Sequence, residues 1–308
     1  MTRMHPFSTS MMFLVFQSMQ LGQVYSANWS YYGENGVNSW SRLTLDTSTN
    51  ECGKSRQSPI HIQAGSTICA HSPMRYINYR VALLYPSIVN NGHTVQVSAS
   101  PNRFHGVRLS HPASTFQFLQ LHFHWGGNST RGSEHIVGNS RYCMEMHLVH
   151  KNTKYKSVEE ASKHHDGMAV VAVLFEVGRR ENHNFRVILN AVREVQTKEN
   201  VHQDIEKNFF LSHLLPTNEV DHFHYFGSLT TPPCSEVVTW IVMKEPVTIS
   251  EFQMNVFRRV QARGHDNGTT HDLVDNYRPP MPLNGRYVLR NFLCPPLQKG
   301  KTKIHETT

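Results

Sequence analysis

Apolar residues recur along this chain in short runs that turn-forming residues separate. Runs of this length, alternating or continuous, are typical of β-strands. Stretches with the apolar spacing of a helix are fewer and shorter. Strands are predicted at 88–97, 116–125, 143–150, 168–177 and 237–243, and helices at 185–195 and 249–263. The pattern therefore predicts a sheet as the scaffold.

Proline and glycine punctuate the remaining sequence, most densely at 227–233 and 278–282, which we predict to be ordered loops. The chain has 308 residues, of which 39% are hydrophobic and 17% charged. These proportions suit a globular protein with one sizeable core, and we find no internal repeat that would indicate several modules. One domain is expected.

The N-terminal segment has the features of a secretory signal peptide. It carries Arg3, an apolar stretch at 11–16 and the small residue Ser26, which suits cleavage. We predict a signal peptide at 1–26, a domain at 27–296 and a polar tail at 297–308. A cytosolic N-terminus is the alternative. The sequence contains no run of eighteen or more apolar residues, so a membrane-spanning helix is not predicted. The polar tail does not resemble a lipid-anchor signal.

Other features agree with a secreted glycoprotein. Glycosylation sequons begin at Asn28, Asn128 and Asn267. The five cysteines include no closely spaced pair of the zinc-finger kind, and an oxidising compartment would permit disulfides. The formal net charge of +7 comes from scattered residues, which indicates solubility rather than nucleic-acid binding.

Histidines supply the candidate chemistry. His122 and His124 are two residues apart on a predicted strand, so they share one face, and His147 on another strand could join them. Three imidazoles leave the fourth coordination position of zinc open, as in catalytic zinc sites. Gln120 and Glu145 each precede one of these histidines by two residues and could orient it. The alternative is three histidines satisfied by hydrogen bonds within a sheet.

The segment His222-Phe223-His224 repeats the spacing of His122 and His124. It lacks a third histidine at the distance downstream at which His147 follows His124. We therefore predict no metal there.

Several dispersed motifs recur in order from about residue 29 to residue 292. They are Gln57-Ser58-Pro59-Ile60, Asn91-Gly92-His93, Gly132-Ser133-Glu134-His135, Asp166-Gly167, Gly227-Ser228-Leu229-Thr230-Thr231-Pro232-Pro233, Tyr277-Arg278-Pro279 and the segments 120–126 and 145–150. Together they resemble the α-class carbonic anhydrases. The resemblance implies a single α/β domain around a strongly twisted, mostly antiparallel sheet of about ten strands, with short peripheral helices. It also implies reversible hydration of carbon dioxide to bicarbonate and a proton at one zinc ion.

The same resemblance implies roles at the metal. Zinc lowers the pKa of a bound water to about 7, a value known for the carbonic anhydrases themselves. Gln120 and Glu145 match the orienting positions, and a backbone carbonyl near Asn276 would serve His124. Thr230 would accept a hydrogen bond from the hydroxide and donate its own to Glu134, which aims the hydroxide at carbon.

The remaining implied roles concern substrate and proton. Carbon dioxide would lie against an apolar wall, while Thr231 would contact bicarbonate. His93 would carry the proton, since imidazole titrates near neutrality. Gln96 stands where the family often has Asn, which puts the efficiency of proton transfer in question. The implied wall is Val149, Val170, Leu229 and Trp240, and the residues implied to order water on the proton path are Tyr31, Asn91 and Gln96.

Cys52 and Cys234 match a disulfide of secreted members of the family. The resemblance assigns no partner to Cys69, Cys143 or Cys294, and Cys143 is expected to be a buried thiol. A second interpretation is a secreted carbonic-anhydrase-like matrix or binding module in which catalysis is incidental. The sequence leaves the oligomeric state open.

Overall fold

The computed structural model describes residues 29–45, 48–70, 72–99, 104–110, 113–206, 209–263 and 269–295. The predicted signal peptide, Asn28, Asn267 and the tail at 297–308 lie outside these ranges. Most regular structure is strand. The strands are β1 (His61–Ile62), β2 (Ile68–Cys69), β3 (Met74–Ile77), β4 (Ser87–Asn90), β5 (Val95–Ser98), β6 (Gly106–Ser110), β7 (Ala113–Trp125), β8 (Ile136–Val137), β9 (Met144–Asn152), β10 (Met168–Gly178), β11 (Gln203–Asp204), β12 (His222–Gly227), β13 (Val238–Met243), β14 (Val247–Ser250), β15 (Gln261–Arg263), β16 (Thr270–Asp272) and β17 (Leu289–Arg290).

A 13-stranded sheet forms the body of the protein. Its main path runs β11-β4-β5-β7-β9-β10-β13-β12-β17-β2, with β14 beside β10, and β6 joining β3 to β7. Pairing is parallel where β13 and β14 meet β10 and where β17 meets β2, and antiparallel at the other joints of this sheet. The predicted fold class is confirmed, with a mixed sheet that has more strands than the ten expected.

Helices are short, and one differs from its prediction. The α-helices are α1 (Val158–Ala161), α2 (Arg186–Val195) and α3 (Glu251–Arg258), and 3₁₀ turns occupy Val37–Arg42, Ala64–Ser66, His183–Phe185 and Leu211–Leu214. The helix predicted at 249–263 was too long at both ends. Ser250 still belongs to β14 and caps α3 by a reciprocal capping box with Gln253, while 261–263 form β15.

Both faces of the central strands are buried. On β9 and β10, Leu148 and Val171 face one hydrophobic cluster, whereas Val149 and Val170 face another. Full burial of such a side chain contributes about 1.5–3 kcal/mol. Because both faces of the strand are covered, buried and exposed residues do not alternate along β9, and every residue of this strand is buried. These two strands are therefore a rigid support for whatever side chains they present.

Two disulfides join distant parts of the chain. Cys52 bonds to Cys234 across 182 residues, which confirms the predicted pair. Cys69 bonds to Cys294 across 225 residues, a pair that the sequence did not assign. Cys143 is a buried free thiol, as predicted, and burial raises its pKa to about 12. Among the described residues, we find no helix that is both long and apolar enough to span a membrane.

Candidate metal centre

Three imidazoles meet where β7 pairs with β9. The antiparallel register sets His122 directly opposite His147, and His124 lies two residues further along the same face. Nδ1 of His147 is 3.3 Å from Nε2 of His122, and one nitrogen from each of the three rings lies within 4.8 Å of the others. Nitrogens about 2.0–2.1 Å from a tetrahedral zinc are themselves about 3.3–3.4 Å apart. The spacing of these rings therefore fits a zinc ion.

The outward nitrogen of each ring is fixed by a separate acceptor. His122 Nδ1 bonds to Gln120 Oε1 at 2.9 Å, and His147 Nε2 to Glu145 Oε1 at 2.7 Å. His124 Nδ1 bonds to the backbone carbonyl of Asn276 at 2.8 Å. Nε2 of His124 is buried without a hydrogen-bond partner, although buried polar atoms are normally paired. A metal ion at the common point would supply the missing partner.

Asn276 also holds the neighbouring backbone. Its side-chain Oδ1 accepts from the backbone N–H of Trp125 at 2.8 Å. Its Nδ2 donates to the carbonyl of His93 at 3.0 Å and to that of Phe123 at 3.3 Å. One fully buried residue thus ties a ligand ring, the strand that carries it and the turn at His93 together.

Glu145 is the most heavily bonded acceptor in the centre. Its Oε2 accepts from the backbone N–H groups of Glu134 and His135, and its Oε1 accepts from the rings of His135 and His147. Burial by itself would raise the pKa of this carboxyl, but His135 and His147 hold it well below its usual range. Glu145 is therefore an ionised acceptor, and both imidazoles donate to it.

The network continues away from the ligands. His135 Nε2 lies 2.7 Å from the hydroxyl of Tyr225, which lies 2.9 Å from Oγ of Ser58. Ser58 Oγ in turn accepts from the backbone N–H of Ser228 at 3.0 Å. The sequence analysis quoted the motif that contains His135 but gave it no role, because its partner Tyr225 is 90 residues away.

The environment of His122 and His124 favours the neutral form of these two imidazoles. Burial lowers the pKa of His122 well below its ordinary value, and the neighbouring His124 and His147 lower it further. Burial likewise lowers the pKa of His124, although Glu134 opposes this. Neutral imidazole is the form that binds a metal, so the protein environment favours coordination.

A cleft of about 140 Å³ lies over the histidines. Val149, Leu229 and Thr231 line it, as do residues to which the sequence analysis gave no role, such as Pro232 and Val237. Val170 and Trp240 lie behind this surface in the same hydrophobic cluster as Val149. The ring of Trp240 packs edge-on against His147, with centroids 4.8 Å apart. The cleft thus combines an apolar wall with His122 and His124.

Thr230 and Glu134 are both buried beside the cleft. Glu134 Oε1 accepts from the backbone N–H of Arg278 at 2.8 Å, while Oε2 is buried without a hydrogen-bond partner. The hydrogen bond from Thr230 to Glu134 is not among those formed by the described residues, and the paired role of these two side chains stays a prediction.

The residues predicted for proton transfer gather at one side of the cleft. Tyr31, Asn91, His93 and Gln96 all line it. The ring of His93 stacks on Trp29 with centroids 3.9 Å apart, and its backbone N–H donates to Asn91 Oδ1 at 3.0 Å. Burial, and then the charge of Glu134, raise the pKa of Tyr31 well above its ordinary value, so its hydroxyl stays protonated.

His222 and His224 do not form such a centre. Among the described residues, the candidate metal-binding groups are the triad and an overlapping set of His135, Glu145 and His147. His222 Nδ1 bonds to the carbonyl of Val220 at 2.8 Å, and His224 Nδ1 is buried without a hydrogen-bond partner.

Known proteins resemble the chain over most of its length. Residues 35–292 match the family model described as eukaryotic-type carbonic anhydrase. Carbonic anhydrase 7 of Mus musculus is 38% identical over 266 residues, which cover 86% of this chain and 97% of that protein. Carbonic anhydrase 1 of Mus musculus is 37% identical over 271 residues (87% and 99%), and carbonic anhydrase 3 of Bos taurus 36% identical over 269 residues (86% and 98%).

Proposed function

Because the chain belongs to the eukaryotic-type carbonic anhydrase family, and is therefore a carbonate dehydratase, we propose that it hydrates carbon dioxide at a zinc ion held by His122, His124 and His147. The convergence of three imidazoles, each with its other nitrogen anchored, carries the proposal. Zinc in such a site lowers the pKa of bound water and supplies hydroxide at neutral pH, as is known for the carbonic anhydrases.

The cleft residues position the reactants. Val149 and Leu229 offer carbon dioxide an uncharged surface, backed by Val170 and Trp240. The hydroxyl of Thr230 would orient the nucleophile and would donate to Oε2 of Glu134, an atom for which the structure shows no hydrogen-bond partner, and Thr231 would contact bicarbonate.

His93 moves the proton out of the cleft. Imidazole accepts and releases protons near neutral pH. Tyr31, Asn91 and Gln96 line the approach with groups that can hydrogen-bond to water. Asn91 holds the turn at His93, since its Oδ1 also accepts from the backbone N–H of Thr94 at 2.9 Å. The alternative of a binding module with incidental catalysis has no specific observation in its favour.

Stopped-flow hydration of carbon dioxide tests the proposal. Zinc-loaded protein is expected to turn over, to lose activity when a chelator removes zinc, and to regain it on addition of one zinc per chain. Folded, zinc-loaded protein that hydrates carbon dioxide no faster than buffer would overturn the proposal.

We also propose that the protein is secreted and glycosylated. Two disulfides suit an oxidising compartment. Of the three sequons, that at Asn128 is described: the side chain is exposed, and its Oδ1 accepts from the backbone N–H of Thr130 at 2.9 Å and from its hydroxyl at 2.6 Å. Enzymatic deglycosylation of protein made in secretory cells should shift its mass. Asn128→Gln should reduce that shift, whereas Asn38→Gln, an exposed asparagine outside any sequon, should not.

A further inference from the structure

A second cavity lies next to the zinc cleft and shares part of its lining. It encloses about 340 Å³, against about 140 Å³ for the cleft. Tyr31 and His93 line both spaces, so these two side chains stand at the boundary. A buried water needs only about 10–15 Å³ of such space, so the second cavity can hold a chain of water molecules.

The second cavity leads from His93 to the protein surface. Gly92 and His93 at its inner end are half-buried, whereas Tyr32, Glu34 and Arg263 further along are exposed. Gly92 has φ of +80°, and a Cβ there would lie 2.9 Å from a carboxylate oxygen of Glu199. Glycine therefore keeps the turn beside His93 compact and the inner end of the cavity open.

A second imidazole lies in the outer part of this cavity. His271 is an exposed residue of β16, which pairs with β15. Its ring contacts Tyr32 edge-on, with centroids 6.4 Å apart, and both side chains line the cavity. The sequence analysis gave His271 no role.

Charged groups of both signs surround the space between the two imidazoles. Glu34 and Arg263 line it. The carboxylate of Glu199 lies over Gly92 and accepts from the backbone N–H of Arg263 at 2.9 Å, and Asp272 follows His271 on β16. Because three of these four groups are acidic, they do not repel a proton from the cavity.

We propose that the proton received by His93 leaves through this second cavity, and that His271 is the next group to carry it. The N–H bond on His93 breaks, water in the cavity transmits a proton, and an N–H bond forms on His271. A buffer base then takes that proton, which returns both imidazoles to the neutral form. No oxidant, reductant or further reactant is needed. The inference rests on the proposed function of His93.

The test is His271→Gln, which removes the titrating ring at an exposed position. In weak buffer, kcat for hydration should fall by about threefold or more, because release of the proton follows the chemical step. The ratio kcat/KM should not change, since it reports the steps before release. Added imidazole should restore kcat. The control is His213→Gln, an exposed histidine in the 3₁₀ turn Leu211–Leu214, which should leave both parameters unchanged.

A double variant connects the two imidazoles. If they act in series, adding His271→Gln to His93→Ala should lower kcat no further. An unchanged kcat in His271→Gln would overturn the inference, because the proton would then be released directly from the cleft. An equal fall in kcat and kcat/KM would also overturn it, because His271 would then have a structural role. Failure of the proposed function is distinct, because the unaltered protein would then have no measurable kcat/KM.

Discussion

Two pairs of histidines in this chain have the same spacing, His122 with His124 on β7 and His222 with His224 on β12. Each pair shares one face of a strand, and each lies in the same sheet. The difference is the neighbouring strand. The residue opposite His122 on β9 is His147. The residues opposite His222 and His224 on β13 are Met243 and Ile241.

The comparison shows that two histidines spaced two residues apart on a strand are not sufficient for a metal site. A third ligand must come from the register of the next strand, and each outward nitrogen needs its own acceptor. At the triad, Gln120, Glu145 and the carbonyl of Asn276 fill that role. At the second pair, His222 bonds to a carbonyl two residues away and the buried Nδ1 of His224 has no hydrogen-bond partner.

Removal of the cross-strand ligand should have the largest effect. In His147→Ala only two ligands remain, so bound zinc and hydration should both be lost, by more than the roughly 10- to 100-fold that loss of a supporting group costs. His224→Leu should keep one zinc per chain and full activity. Metal analysis and stopped-flow kinetics on both variants check this. Zinc retained in His147→Ala at full stoichiometry would contradict the assigned ligand set.

The two disulfides allow a second contrast, because each lies near one histidine pair. Cys234 ends the loop that carries Thr230, whereas Cys69 and Cys294 close the edge where β2 and β17 adjoin β12. Replacing either pair by serine should lower the free energy of unfolding by up to about 4–5 kcal/mol, since both close long loops.

Activity should separate these two double variants. Loss of Cys52–Cys234 frees the Thr230 loop, so kcat/KM for hydration should fall, whereas loss of Cys69–Cys294 should leave it unchanged. Denaturant unfolding followed by a hydration assay below the unfolding transition measures both quantities. Equal loss of activity in the two variants would show that the loop does not depend on its own disulfide.

Glu145→Gln sharpens the role of the acceptors. The change keeps the shape but removes the charge that accepts from His135 and His147, so zinc affinity should weaken by about 10- to 100-fold. Competition with a chelator of known affinity measures it. The matched control is Glu176→Gln, an exposed residue of β10 that should bind zinc as before. Equal zinc affinity in the two variants would show that Glu145 does not support the zinc site.

The smallest expected effect is on stability, and it depends on the pH and on His224 of the second histidine pair. Burial lowers the pKa of His224 to about 4, below the ordinary value of imidazole, so the unfolded chain binds a proton more readily than the folded one. Stability from neutral His224 is therefore complete above pH about 6.5 and is lost as the pH falls towards 4.

When the pH falls from 7 to 5, the free energy of unfolding should decrease in the unaltered protein and in the His224→Leu variant. The decrease should be larger in the unaltered protein by about 1–2 kcal/mol. Denaturant titrations at the two pH values give the difference. Parallel losses in the two proteins would show that His224 is not held in its neutral form.

Local residue patterns predicted the parts of the site that are close in sequence. Gln120, His122 and His124 share a face because strands repeat every two residues. The link from His135 to Tyr225 was not predictable, since it depends on how the fold brings β12 next to a loop residue 90 positions earlier in the chain. The bond between Cys69 and Cys294 likewise forms only because β2 pairs with β17. The start of α3 was predicted two residues too early, although the capping-box spacing of Ser250 and Gln253 marks it in the sequence.

Asn276 has a consequence for the order of biosynthesis. All three proposed zinc ligands have been synthesised once residue 147 is made, yet the carbonyl that orients His124 is 152 positions from it in sequence. The same asparagine fixes the turn at His93, 183 positions away. Because contacts between distant residues form late and at high entropic cost, a nascent chain would present imidazoles without the geometry that selects zinc. Tight metal binding should therefore await release of the complete polypeptide.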